Sequence, residues 1–182
     1  MAIESKPIEL QSPCPNFNLP GVDGREHSLE SYATSKILLI GFTCNHCPYV
    51  QAYEQRLNQL ALEYSSKGVS FVCINANDEI NYPDDSFEQM KIRAKKLNFN
   101  FDYLRDETQA VAKNFNAACT PEFYIYNQDR RLCYHGRLDD NQQNPEAVKH
   151  HYIKEALDDL LNSRPVRTSQ TSAIGCGIKW KK

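Results

Sequence analysis

Hydrophobic and polar positions switch between two periods along this chain. Ile37, Leu38, Leu39 and Ile40 form a continuous apolar run within residues 36–42, which fits a strand covered on both faces. Beyond it, Tyr49, Val50, Tyr53, Leu57, Leu60, Ala61 and Tyr64 recur at steps of three and four. They form one apolar face of a helix over about residues 47–66. Lys67 and Gly68 stand where such a helix stops. VSFVCIN (69–75) is a second buried strand, with Cys73 as a small core residue. Strand, helix and strand of these lengths predict a βαβ unit, hence a parallel pair with a right-handed crossover.

The same pattern places the remaining elements. Residues 7–35 read as an N-terminal extension: Phe17 and Leu19 alternate with polar residues, and Gly21, Asp23 and Gly24 supply a turn. This predicts a β-hairpin, followed by a short helical turn over 28–32. Cys14, between Pro13 and Pro15, is expected on a rigid surface loop. Residues 77–85 are a polar loop, and 86–97 a helix with Phe87, Met90, Ala94 and Leu97 on one face. Residues 99–104 are a short strand, and Asp106 caps a helix over 107–115. Pro121 heads an apolar stretch to Tyr126; lacking an N–H, it must start that strand or lie at an edge. With a turn at 127–130 and a returning strand at 131–136, this is an antiparallel hairpin. Asn144, Pro145 and Glu146 open a last helix, with Val148, Tyr152, Ile153, Ala156, Leu157 and Leu160 as its apolar stripe. The tail, 164–182, is apolar around Ile174, Ile178 and Trp180 and is expected to pack back near the functional site. No repeat or linker interrupts the chain, so 1–182 is expected to be a single domain.

Charge and composition exclude several classes of partner. The formal net charge is −2 with no basic or acidic block, which points away from nucleic acid and anionic membranes. No apolar stretch approaches the ~20 residues of a membrane span. The N-terminus lacks the basic-then-apolar layout of a signal peptide, so a cytoplasmic location is expected. Seven cysteines, an odd count in a reducing compartment, argue for one reactive pair among reduced thiols rather than a disulfide scaffold.

That pair is Cys44 and Cys47, in Cys44-Asn45-His46-Cys47, where the first strand hands over to the helix. A helix start carries unpaired N–H groups and a positive dipole end. Cys44 is therefore expected to be the exposed, attacking sulfur with a lowered pKa, and Cys47 the more buried, resolving one. His46 between them can add positive charge, and Pro48 is tolerated in the first turn. The competing reading is a metal or metallochaperone site built from Cys44, His46 and Cys47, or completed in space by Cys14, His46 and Cys176. Against a zinc ribbon, the chain has no second CxxC and no HxxxH. Haem attachment is excluded by Pro48, which stands where CxxCH needs histidine.

The βαβ unit with CxxC at the helix start, Thr120-Pro121 before a hairpin, and a closing helix resemble the thioredoxin fold. More narrowly, FTCNHCPYV, NANDEINYPDDSFEQM, TPEFYIY, YHGRLDD and SAIGCGIKWK look like the peroxiredoxin-like proteins of that superfamily, related to alkyl hydroperoxide reductase and thiol-specific antioxidant. The resemblance implies an α/β fold with a central mixed sheet flanked by helices. It implies a thiol–disulfide oxidoreductase without a bound cofactor, needing a protein or small-molecule disulfide and an external thiol reductant. In it, Cys44 is the nucleophile, Cys47 resolves, Pro121 is a cis proline facing the pair, and Thr120 presents its backbone to pair with a bound peptide or to shield the dithiol from metals.

Two departures stand out. Thr43 occupies the place of the thioredoxin tryptophan, and Leu38 that of its buried acid. Glu122, expected as an exposed edge residue, is the substitute candidate for a proton acceptor. Peroxidase chemistry needs Pro-x-x-x-Thr-x-x-Cys. Counted back from Cys44 those places hold Gly41 and Ile37, and from Cys47 they hold Cys44 and Ile40, so neither register fits. A thioredoxin-dependent peroxidase is the enzymatic alternative. An interaction module whose disulfide only reports redox state is another. Cys119 and Cys176 are candidate relay cysteines: Cys119 by its place two residues before Pro121, Cys176 by its glycine-flanked place in a flexible-looking tail.

Overall fold

The computed structural model describes residues 2–182. Its centre is a five-stranded mixed sheet in the order β6-β5-β4-β8-β9. Strands β4 (Ile37–Phe42), β5 (Val69–Asn75) and β6 (Asp102–Arg105) run parallel. Strand β8 (Glu122–Tyr126) pairs antiparallel with β4, and β9 (Leu132–Gly136) antiparallel with β8. The continuous apolar run is explained by this position. Leu38, Ile40 and Phe42 face one half of the core, Ile37 and Leu39 the other, and every residue of β4 is buried.

Helices α1 (Pro48–Ser65), α2 (Phe87–Leu97) and α4 (Tyr152–Leu161) cover one face. Tyr53, Leu57, Ala61 and Tyr64 of α1, Met90 of α2, and Ile153, Ala156 and Leu157 of α4 supply that half of the core. The opposite face is covered by α3 (Ala110–Asn114) and the N-terminal segment through Phe17, Leu19, Tyr32, Val111 and Phe115. The predicted hairpin is β2 (Asn18–Pro20) with β3 (Glu26–Ser28). Ser28 then caps the short turn over Leu29–Tyr32.

Several boundaries differ from expectation. The strand expected at 99–104 begins at Asp102, because Phe99 and Phe101 stack on each other 4.3 Å apart instead of joining the sheet. The helix expected over 107–115 shrinks to Ala110–Asn114. Gln109 takes a left-handed conformation (φ 63°), and the Asp106 carboxylate accepts the Ala112 N–H at 2.8 Å, closing a turn before the helix starts. The last helix starts at Tyr152; Pro145–Ala147 is a separate short turn, and Val148 is extended (ψ 125°). Cys14 is buried in the core beneath the sheet, not on a surface loop, and burial raises its thiol to about 12.

The tail is a strand. Residues Ile174–Gly177 form β10, which pairs antiparallel with β1 (Ala2–Glu4) on one side and β7 (Cys119–Thr120) on the other. The tail strand therefore lies against the segment that carries Thr120 and Pro121, and β1 covers its other edge.

Candidate active site

Cys44 and Cys47 lie between the end of β4 and the start of α1, where sequence placed them. The Thr120–Pro121 peptide bond is cis. Thr120 touches both sulfurs: its hydroxyl lies 3.3 Å from Cys44 Sγ, and its carbonyl 3.3 Å from Cys47 Sγ. Cys44, Cys47 and Val50 form a small apolar cluster against which Tyr49 and Cys176 pack.

The electrostatics of this hydrogen-bonded pair favour charge on Cys47 rather than on Cys44, where the sequence expects it. Helix α1 begins at Pro48, so Cys47 is its N-cap and Cys44 stands three residues upstream in the loop. The helix start therefore favours the Cys47 thiolate. Cys47 is lowered from 9.0 to about 5, chiefly because the Cys44 thiol donates to it, despite its burial. The Cys176 thiol and N–H add to this, and the Val50 N–H in the first turn of α1 contributes although it makes no capping bond. The protonated Cys47 thiol donates to the Thr120 carbonyl. Cys44 moves the other way. Donating to Cys47, burial and the nearby Asp85 carboxylate all raise it, and only the Thr120 hydroxyl lowers it. Cys44 is also not the exposed sulfur: it is 1% exposed and Cys47 0%.

His46 is held from outside the motif. Its Nδ1 bonds Asp85 Oδ2 at 2.5 Å, and its ring stacks on Tyr82 at 5.4 Å. Asp85 is fully buried and also accepts the Asn45 N–H at 2.6 Å and the Asn77 side-chain amide at 2.7 Å. Tyr103 donates to the Asn45 side chain at 3.0 Å, and Gln51 to the Asn45 carbonyl at 2.8 Å. These contacts fix the backbone of the Cys44–Cys47 loop. Asp85, Asn77 and Tyr103 went unrecognised in the sequence, where 77–85 read only as a polar loop. The one signal available was the density of Asn and Asp in NANDEINYPDDS. An open groove of about 350 Å³ adjoins His46, lined by Gln51, Asp84, Gln89, Arg93 and Lys96.

Glu122 is not an exposed edge residue. Strand β8 lies between β4 and β9, so Glu122 is 1% exposed. Its carboxylate accepts the N–H groups of Ala118 (2.8 Å) and Cys119 (3.2 Å) and the Tyr124 hydroxyl (2.9 Å), and it bonds His135 Nε2 (2.7 Å). It faces Cys119, whose Sγ lies 4.0 Å away. Cys119 is buried, and desolvation with the Glu122 charge pushes its thiol far up.

The metal sets expected from the sequence do not gather. Cys14 lies with Tyr126 and Arg130 in the core beneath the sheet, apart from His46 and Cys176. Among the described residues Cys44, His46 and Asp85 do come within 4.8 Å of one another, as do Asp23, His27 and Asp102. In the first group, however, His46 Nδ1 and both Asp85 oxygens are already spent on hydrogen bonds within the loop. In the second, Asp23 binds Arg25 and His27, and Asp102 accepts the Tyr32 hydroxyl. Both are hydrogen-bonded networks rather than open donor sets.

Comparison with known proteins agrees with this architecture. The Redoxin family profile matches residues 9–150. No curated protein matches the chain. Among solved structures, an uncharacterized conserved protein from Geobacillus kaustophilus is 47% identical, covering 100% of this chain and 97% of that one with a TM-score of 0.95. A hypothetical protein from Sinorhizobium meliloti 1021 is 36% identical over 98% of both chains, TM-score 0.93. A secreted Mycobacterium tuberculosis disulfide oxidoreductase, homologous to E. coli DsbE, is 20% identical and covers 81% of this chain and 95% of that one, TM-score 0.57. The last shares the thioredoxin-like fold. No helix among the described residues is long and apolar enough to cross a membrane.

Proposed function

The chain belongs to the Redoxin family, and from that premise we propose that it is a thiol–disulfide oxidoreductase working through Cys44 and Cys47. The observation that carries this reading is the shared contact with Thr120, which holds both sulfurs 3.3 Å from one residue beside the cis proline. The Cys47 thiolate attacks one sulfur of a substrate disulfide, R–S–S–R′. The Cys47–S–R bond forms, the S–S bond breaks, and R′S⁻ leaves. Cys44, losing its proton to the leaving thiolate, then attacks Cys47 Sγ. The Cys44–Cys47 disulfide forms and RS⁻ departs, so the substrate has gained two electrons. Two equivalents of an external thiol restore the dithiol. Asp85 and His46 hold the loop, while Thr120 and Pro121 shape the surface where substrate meets the sulfurs. No bound cofactor enters this cycle. Such a reductant is supplied in the cytoplasm, which is where this reading places the protein.

Hydrogen peroxide is the competing substrate, because a thiolate at a helix start also attacks peroxide. The test compares the two. Reduced protein is mixed with a model protein disulfide and, separately, with hydrogen peroxide. Disulfide exchange lost by about 100-fold or more in Cys47→Ser, with peroxide consumed no faster than by an ordinary thiol, supports the oxidoreductase reading. Fast peroxide consumption that Cys47→Ser abolishes, without disulfide exchange, means a peroxidase. No turnover of either leaves a redox-reporting interaction module.

A further inference from the structure

Cys44 and Cys47 are nearly inaccessible, so a partner reaches them only when the cover over the pair opens or through a neighbouring sulfur. Strand β10 lies over them, with Cys176 opposite Thr120 and Gly177 opposite Cys119 in the antiparallel register. A tail residue thus sits beside the segment that contacts both sulfurs. Its close approach is written into the sequence. A Cβ on Gly175 would fall 2.0 Å from the Thr120 carbonyl oxygen and 2.6 Å from its carbon, so no side chain fits there. Nor is β10 loose. Beyond its pairing with β1 and β7, Lys179 is held at both backbone groups, by the Asp78 N–H (2.8 Å) and the Asn77 side chain (2.8 Å), while Ile178 is buried. Six of the seven cysteines are buried; Cys176 alone is partly exposed.

We infer that Cys176 is a third catalytic cysteine, the accessible sulfur through which an external thiol exchanges with Cys47. This rests on the dithiol reading above. Starting from the Cys44–Cys47 disulfide, the Cys176 thiolate attacks Cys47 Sγ. A Cys47–Cys176 bond forms, the Cys44–Cys47 bond breaks, and Cys44 leaves with the electron pair and takes up a proton. An external thiolate RS⁻ then attacks Cys176, forming Cys176–S–R and releasing Cys47 as the thiolate. A second RS⁻ attacks the outer sulfur of that mixed disulfide, giving RSSR and free Cys176. Two thiols are oxidised and one internal disulfide is reduced. The Cys176 thiol is raised to about 11, by burial and by donating to Cys47. It therefore attacks when its proton is passed on, and in the reduced resting state it stays protonated as a donor to the Cys47 thiolate. Attack on an exposed sulfur also explains how a buried pair is serviced without removing β10.

The test uses the full chain. The Cys44→Ser variant is oxidised with one equivalent of diamide, and peptides are mapped without reduction. In parallel, wild type and Cys176→Ser are oxidised, and the rate at which a protein-sized thiol such as reduced thioredoxin re-reduces them is measured. The expected results are a Cys47–Cys176 link in Cys44→Ser, and re-reduction of Cys176→Ser slowed by about tenfold or more, since exchange depends on access to the attacked sulfur. Absence of that link, or a Cys176→Ser rate within about twofold of wild type, overturns the proposal. The dithiol reading fails on a different observation, a diamide-treated wild type that contains no Cys44–Cys47 link.

Discussion

At the scale of residues, the hydrogen bond between the two sulfurs is the largest influence on which of them carries charge. Pro48 fixes φ and opens the helix, which makes Cys47 the N-cap and sets the positive end of α1 on the same side. The reduced protein is therefore expected to gain one thiolate, followed by ultraviolet thiolate absorbance, with a midpoint below the ordinary thiol range, and Cys47→Ser to lack it. The stability consequence has a definite sign. The folded value lies below the ordinary thiol value of 9.0, so the contribution of Cys47 to the reduced fold is complete above about pH 9 and falls away as pH drops to about 5. Urea unfolding of the reduced protein at pH 5 and pH 8 checks it: wild type should lose more stability between them than Cys47→Ser. The CxxC itself was legible because its spacing is local. The distribution of charge was not, because it depends on the contact between the two sulfurs and on Cys176, which arrives from the far end of the chain. Glu122 was misplaced for a similar reason. Nothing within its own segment reveals that β4 and β9 flank it. Its four hydrogen-bond partners predict that Glu122→Ala costs about 3 kcal/mol, because buried donors lose their acceptor. Glu122→Gln, which keeps the shape, should cost less. Chemical denaturation of the two variants gives both values.

At the scale of elements, β10 is where the sequence said least. Weak periodicity in 164–182 concealed a central strand of a three-stranded sheet, because both partners, β1 and β7, are far away in the chain. Gly175→Ala brings a methyl group into the Thr120 backbone, which cannot yield as a flexible side chain would. Faster amide hydrogen exchange at 174–178 and 119–120, with the central sheet unchanged, is the expected result; unchanged protection there would mean that β10 does not need this approach. Helix α2 was legible in its apolar spacing, and the structure adds its cap, Ser86, whose hydroxyl accepts the Gln89 N–H. Ser86→Ala should cost about 1 kcal/mol in a denaturant titration. The shortened α3 and the late start of α4 were not legible, since tertiary hydrogen bonds such as Asp106 to Ala112 end the pattern before propensity would.

At the scale of the whole molecule, the βαβ unit and the antiparallel hairpin followed from the apolar pattern and the βαβ handedness rule, the mixed sheet that joins them followed from the family resemblance, and together they carry the thioredoxin-like fold. What holds the layers to one another was less visible. Arg56 on α1 reaches the buried Asp139 carboxylate and the carbonyls of Asn141 and Gln142, tying a helix to the loop after β9. Arg56→Ala strands that carboxylate and is expected to cost about 3–5 kcal/mol, read as a lowered denaturation midpoint. A loss below about 1 kcal/mol would show that water or another cation takes over. The site itself draws on every layer: sulfurs from the β4–α1 junction, Thr120 from β7, Asp85 from the loop after β5, and Cys176 from the far end of the chain.

The central claim is that Cys44 and Cys47 form a reversible redox pair. The most direct measurement equilibrates the protein in glutathione buffers of graded oxidised-to-reduced ratio, quenches with acid, and maps peptides without reduction. A Cys44–Cys47 disulfide that appears and disappears along one reversible curve is the predicted result, with two electrons per step. If both cysteines remain thiols across the series, or pass only to higher oxidation states that reductant does not restore, the pair is not a thiol–disulfide couple and the account is wrong.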